Sequence, residues 1–509
     1  NAKAIGVNTT AIGAGTKADG DDATAIGNSA QAIGKYSTAV GDETKVTKDF
    51  SLAIGYQAEA NSTGSAAIGF RAKTFGEDSA ALGNSAVASG LESLALGNSA
   101  AASGKQSNAI GWRANATAEN ATAIGSGAKA DGKFAVVLGT DSFVQGFNSI
   151  AIGMGATVNS DKPGISQNSI AFGTNANVKG GNSTAIGWLA DTGDGAGMLA
   201  IGDKASTNNK TVGSATYNVK NSQSVALGSR ALAWGDQAIA LGNDVKASGN
   251  SSVAIGGDDI DRVRYAYGNL YQNITGQALP SGYRSTESSG AGSTAIGVMT
   301  TASGQFSSAL GMTANASGDG AVAIGPVAKS SGESGVAIGI ASQASAKKTI
   351  AIGSVATATS ENATAIGGKA SATSEGAQAL GYQSNASGYQ SNAIGWNAGA
   401  SGITSNAIGW NANATAHDAT AIGSGAKASG IASNAIGWNA NATAQDATAI
   451  GSGAQAYSRG GIAMGRNANA TAQNATAIGS GAKADGNDAV VLGTNSFVQD
   501  ANSIAIGMG

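Results

Sequence analysis

Apolar residues keep a fixed place in this chain. An Ile, Leu, Val, Phe or Met stands directly before a glycine and directly after a small residue, as in Thr24-Ala25-Ile26-Gly27. These glycines recur every 14 residues from Gly13 to Gly153, pass through an irregular middle, and resume from Gly297 to Gly507. There are 33 of them, and Ala stands two places before in 31, Val137 and Val491 being the exceptions. A whole unit reads Ser-x-Ala-Ile-Gly-x-x-Ala-x-Ala-x-Gly-x-x, as from Ser93 to Gly104, so each unit is two similar halves of seven. Alternation of period two closed by glycine predicts a short strand and a turn. Helix is disfavoured, because a glycine in every half would cost about 1 kcal/mol each relative to alanine. Two strands and two turns in 14 residues predict one coil of a parallel β-roll. Stacked at the inter-strand spacing of about 4.8 Å, thirty-three coils would extend on the order of 160 Å. The glycines are expected at tight reversals that need positive φ.

The pleat sorts the side chains. Ala67 and Ser65 fall on one face and Ile68 on the other. A roll this thin has no room for Ile inside, so the small residues should line the interior. The outward stripe then includes Ile26, Ile54, Ile68, Ile110, Ile124, Ile152, Ile338, Ile394, Ile422 and Ile506. An apolar stripe of that length needs covering, most simply by identical stripes of neighbouring chains. The repeat predicts an obligate homo-oligomer and leaves dimer or trimer open.

Three interruptions divide the array. Loops are expected at Asn159–Gly164 and near Thr207–Asn221, and 41 residues separate Gly256 from Gly297. That last insert holds Gly257-Asp258-Asp259-Ile260-Asp261-Arg262 and the aromatic residues Tyr265, Tyr267, Tyr271 and Tyr283. It should leave the roll and return in register, as a clamp over neighbouring coils or chains, or else as a ligand contact. The resulting division is repeats over 1–155, interrupted repeats over 156–256, the insert over 257–292, and repeats over 293–509. Residues 114–155 and 468–509 are near-copies that differ at six positions.

Composition narrows function. The 509 residues include 78 Gly and only 3 Pro, yet the apolar positions hold register, so the chain is ordered rather than a flexible linker. Charged residues are 12% with a net charge of −3 and no basic patch, which argues against a nucleic-acid partner. The absence of cysteine excludes disulfides, thiolate metal sites and a cysteine nucleophile. The single histidine, His417, stands where sibling repeats have Gln445 and Glu119, and reads as a solvated turn residue. No metal or cofactor site is expected, and no apolar run is long enough to span a membrane. The chain begins and stops in mid-repeat and reads as a fragment.

Asn148-Ser149-Ile150-Ala151-Ile152-Gly153, Asn502 to Gly507 and Ser252 to Gly256 resemble the head repeats of trimeric autotransporter adhesins, the YadA-like surface proteins of Gram-negative bacteria. The Gly257-Asp258-Asp259-Ile260-Asp261-Arg262 stretch is similar to the head insert motif of that family. The resemblance implies an all-β, left-handed parallel β-roll, homotrimeric through the Ile faces, with loop insertions. It implies a non-enzymatic head at the bacterial cell surface, held to the outer membrane by a C-terminal region outside this fragment. The expected partners are matrix proteins such as collagen, fibronectin or laminin, cells, other bacteria, or abiotic surfaces.

Contact residues are less plain. Trp112, Trp188, Trp396, Trp410 and Trp438 each follow a repeat glycine, a turn position with little core to enter. Together with Tyr265, Tyr267 and Tyr271 they are the candidate ligand contacts. The same rings could instead cover an apolar rim between coils or protomers. The Asn-x-Thr triplets, such as Asn413 to Thr415, match a glycosylation acceptor but arise readily from alternating small residues. Two alternatives are an ice-binding solenoid, which needs an unbroken threonine face, and a purely structural spacer of a surface fibre.

Overall fold

The computed structural model describes residues 1–159, 167–208 and 223–509. The chain is a parallel β-solenoid whose coils fall into two units, Asn1–Ser251 and Ser252–Gly509. In each unit one strand ends at every Ala-Ile-Gly, and successive strands pair in parallel at the repeat spacing. Thr10, Ala11 and Ile12 lie beside Thr24, Ala25 and Ile26 in the first unit. Thr364, Ala365 and Ile366 lie beside Gln378, Ala379 and Leu380 in the second. A second sheet is built from two-residue strands in the other half of each coil, as where Lys17-Ala18 pairs with Gln31-Ala32. The turns join the ladder too. The Gly27 and Ser29 amides donate to the Ile12 and Ala14 carbonyls at 2.9 and 2.8 Å. Nearly every peptide group of a coil is thereby satisfied by its neighbour.

The interior is as narrow as the small-residue pattern demands. Ala23, Ala25, Ala30 and Ala32 of one coil are all fully buried, and the largest fully buried side chains among the described residues are Val and Thr. Several of the serines and threonines in this interior turn their hydroxyls back onto the backbone. Ser79 Oγ donates to the Gly76 carbonyl at 2.6 Å, and Thr44 Oγ1 to the Gly41 carbonyl at 2.6 Å. A buried hydroxyl that ties its own turn avoids the cost of burial without a partner.

The glycines do not all act as the repeat suggests. Gly27 has φ +133°, and a Cβ there would also collide with the carbonyl of Gly41 in the next coil. Gly34, at the second turn, has ordinary φ; it is needed because a Cβ would strike the backbone of Lys48. Left-handed backbone is instead taken by non-glycine residues at both turns, such as Ser29 at φ +60° and Tyr36 at φ +55°. The expectation that every turn glycine supplies positive φ is corrected to close approach for the second one.

Register survives the interruptions. Ile150 pairs with Ile170 and Leu199 with Val225. Apart from Asn159, Thr207 and Asn208, the two expected shorter loops lie outside the described residues. The long insert also returns in register, Gly256 beside Gly297 and Gly257 beside Val298. It holds the one helix among the described residues, α1 (Asp261–Thr275), closed by Gly276 in left-handed conformation at φ +74°. The periodic reading did not expect a helix there.

Candidate functional site

Three outward features remain once the interior is filled. The first is the apolar column on the face of the three-residue strands. Ile26, Ile54, Ile394 and Ile422 are exposed, and Ile68, Ile110, Ile124, Ile152 and Ile338 are half-buried by their column neighbours. Ile506, in the last strand, is 76% exposed. The outward column of the two-residue strands is different in kind, running Lys17, Gln31, Lys45, Glu59, Lys73. There neighbours form ion pairs, as between Lys73 and Glu59 at 3.0 Å. One face is therefore made for water and the other is not.

The second feature is the turn after each repeat glycine, where all five candidate tryptophans are 44 to 61% exposed. The coil spacing stacks these side chains. Tyr382 lies on Trp396 with ring centroids 6.4 Å apart, and Trp396 on Trp410 at 5.5 Å and 9° between planes. In the first unit Tyr56 and Phe70 stack at 5.3 Å in the same column. Trp112 and Trp188 are single there, and each is covered by the cation beside it, Arg113 at 4.4 Å and Lys204 at 4.6 Å. The five tryptophans thus divide into two capped by a cation and three in or beside a ladder. A spacing of 14 between aromatic residues in one turn position was the sequence signal for this stacking.

The third feature is the insert. Of the three tyrosines, Tyr265 is 96% exposed and Tyr267 also faces out, but Tyr271 is only 7% exposed. It packs with Leu279 and Val327, with Met312 and Ile340 at the margin. Burial pushes its hydroxyl pKa up. Tyr271 is consequently a packing residue that docks α1 on the turns of later coils. The ends of the insert are tied down as well. The Tyr283 hydroxyl donates to Asp261 at 2.9 Å, the carboxylate holding the phenol pKa above its ordinary value. Arg284 Nη2 donates to the Met299 carbonyl at 2.6 Å. The insert folds back as a clamp over coils of its own chain.

Chemistry elsewhere is sparse. No cluster of three metal-ligating residues occurs among the described residues, and no helix among them is long and apolar enough to cross a membrane. His417 sits exposed on its turn, 2.7 Å from Asp418. Thr10, Thr24 and Thr38 align in adjacent strands, but Leu52 and Ala66 follow, so the threonine face is broken.

The family model of the YadA head domain repeat matches this chain in windows from 4–30 to 130–156, over 165–190 and 220–244, and again from 288–314 to 484–509. No curated protein sequence matches. Among solved structures, the collagen-binding domain of the Yersinia adhesin YadA is similar at 21% identity, over 40% of this chain and 76% of that one, with a TM-score of 0.16.

Proposed function

The chain belongs to the YadA head-domain repeat family, and from that premise we propose that it is the head of a bacterial surface adhesin. It has no catalytic role in this reading. It is a homotrimer of left-handed β-rolls joined through the apolar columns, displayed outside the cell by an outer-membrane anchor. Its targets are extracellular matrix proteins such as collagen, fibronectin or laminin, cells, or abiotic surfaces. The supporting observation is the contrast between the two sheets: an apolar outward column at every three-residue strand, beside a polar one on the two-residue strands. An apolar side chain covered by a partner gains roughly 25 cal/mol per Å². Repeated at every coil, that exceeds the cost of about 4–15 kcal/mol for association. What remains outside after such assembly is the surface of the turns and of the two-residue strands, with the turn tryptophans as its large contact groups.

The test has two arms. Sedimentation of the purified chain should give three copies; a folded monomer would remove the basis of the assembly. Binding to immobilised collagen, fibronectin, laminin and bare polystyrene should then be saturable on at least one. Failure on all four surfaces by a correctly assembled trimer would overturn the adhesive reading.

A further inference from the structure

We propose that the aromatic column of the second unit docks against the same column of a second copy, antiparallel, about a two-fold axis between the levels of Ser424 and Trp438. This rests on the adhesive reading, in that the turns after the repeat glycines face out of the assembly, and it names their partner. One such turn residue stands at each coil, so residues 14 apart are one level apart. Tyr382, Trp396 and Trp410 fill three successive levels as a continuous stack. The next level carries Ser424, and Trp438 follows it. Trp410 and Trp438 are then two coils apart, roughly 10 Å. That gap admits one planar ring at the step of 5.5 Å that Trp396 and Trp410 themselves adopt. Ser424 is followed by Gly425, so its own coil puts no large side chain into the gap.

The column is complementary to its own reversal. Turned about that axis, the second copy places its Trp438 at the level of Ser424, and its Ser424 at the level of Trp438. Trp410 then faces Ser452, and Tyr382 faces Ser480. Trp396 faces Arg466, a cation over an indole. Four rings from each copy thereby supply one ring at every level, without a gap and without two rings competing for one level. Over these coils Arg466 is the only charge at this turn position, so closing the contact buries no like-charged pair. An isologous contact of this kind uses up both columns that form it, and a trimer offers three such columns.

Two single variants and their mixture test it on the full chain in its native oligomer. Trp438→Ser removes a ring from both copies, and Ser424→Trp puts two rings at one level. Each alone should weaken head-to-head association by about tenfold or more, read by sedimentation velocity over a concentration series. An equimolar mixture should regain the parental affinity, because one chain then supplies the ring that the other lacks. Undiminished association of Ser424→Trp, or no recovery in the mixture, would overturn the proposal. So would a fall in the thermal stability of the Ser424→Trp oligomer, which would place this column against the opposite turns of a neighbouring protomer, where Tyr389, Ile403 and Ile431 are exposed. Binding to matrix proteins and polystyrene is measured on the same variants. Pairing lost with surface binding kept leaves the adhesive reading standing, and pairing kept with surface binding lost leaves this one.

Discussion

At the scale of residues, glycine does two separable things. A glycine that closes a three-residue strand, such as Gly111, is fixed twice, by φ +134° and by the carbonyl of Gly125 in the next coil lying where a Cβ would go. Gly111→Ala should therefore cost more than backbone strain alone, which is about 1–3 kcal/mol. Hydrogen exchange at the amides of Arg113 and Gly125, which donate to the Asn98 and Ile110 carbonyls, would report it, and protection equal to the parent would mean that the coils can spread. The left-handed non-glycine positions invite the opposite experiment. Val355 sits at φ +58°, where a β-branched residue is strained and asparagine is at ease. Val355→Asn is expected to stabilise its coil by about 1 kcal/mol, measured as an upward shift in the thermal midpoint. Charge acts at this scale also. Lys133 donates to Glu119 and holds its carboxyl below the ordinary value of 4.5. A depressed folded pKa contributes stability above the unfolded value and loses it as pH falls through the folded one. An NMR titration of Glu119 should show a midpoint below 4.5 that Lys133→Ala raises, with little effect on unfolding because both groups are exposed.

At the scale of elements, what was legible in the sequence followed from period. Ala67 inward and Ile68 outward could be read because a strand alternates and a 14-residue coil has room only for small side chains inside. The near-copies 114–155 and 468–509 show which positions matter to the coil. Their six differences, including Glu119 for Gln473 and Phe134 for Asp488, all lie at turns, and none is a strand residue. Helix α1 was not legible from the array, since it belongs to no repeat. Its signals were local: Asp259 and Asp261 at one end, where Asp259 accepts from the Asp261 amide at 2.5 Å, and Gly276 at the other. The burial of Tyr271 could not be read either, because Met312, Val327 and Ile340, which receive it, lie dozens of residues away at turns that look ordinary. Tyr271→Ala should release α1 while leaving the coils intact. Removing a buried aromatic ring costs about 3–5 kcal/mol. Limited proteolysis should then cut within 261–275 first; cleavage no faster than in the parent would show that the ends of the insert alone hold it.

At the scale of the whole molecule, the two sheet faces make opposite demands on the same substitution. Ile338 points out of its strand beside Ile324 and Ile352, and Gln343 points out of the other sheet in the same coil. Neither side chain enters the roll, so a lysine at either leaves the coil itself unchanged. If the apolar columns of three chains meet, Ile338→Lys brings three ammonium groups together away from water. The penalty is several kcal/mol for each unpaired ion. Gln343→Lys adds one more charge to a face that already carries Lys329, and an exposed change of that kind stays within about 0.5 kcal/mol. The first variant should lower the thermal midpoint of the assembly by several degrees and the second should leave it in place, with the same far-UV circular dichroism in both. A single level cannot be expected to dissociate the oligomer, since every other coil still contributes its own burial, so stability rather than stoichiometry is the measure. Equal midpoints for the two variants would mean that the Ile column faces water as the Gln343 column does, and the covering chains would have to be given up.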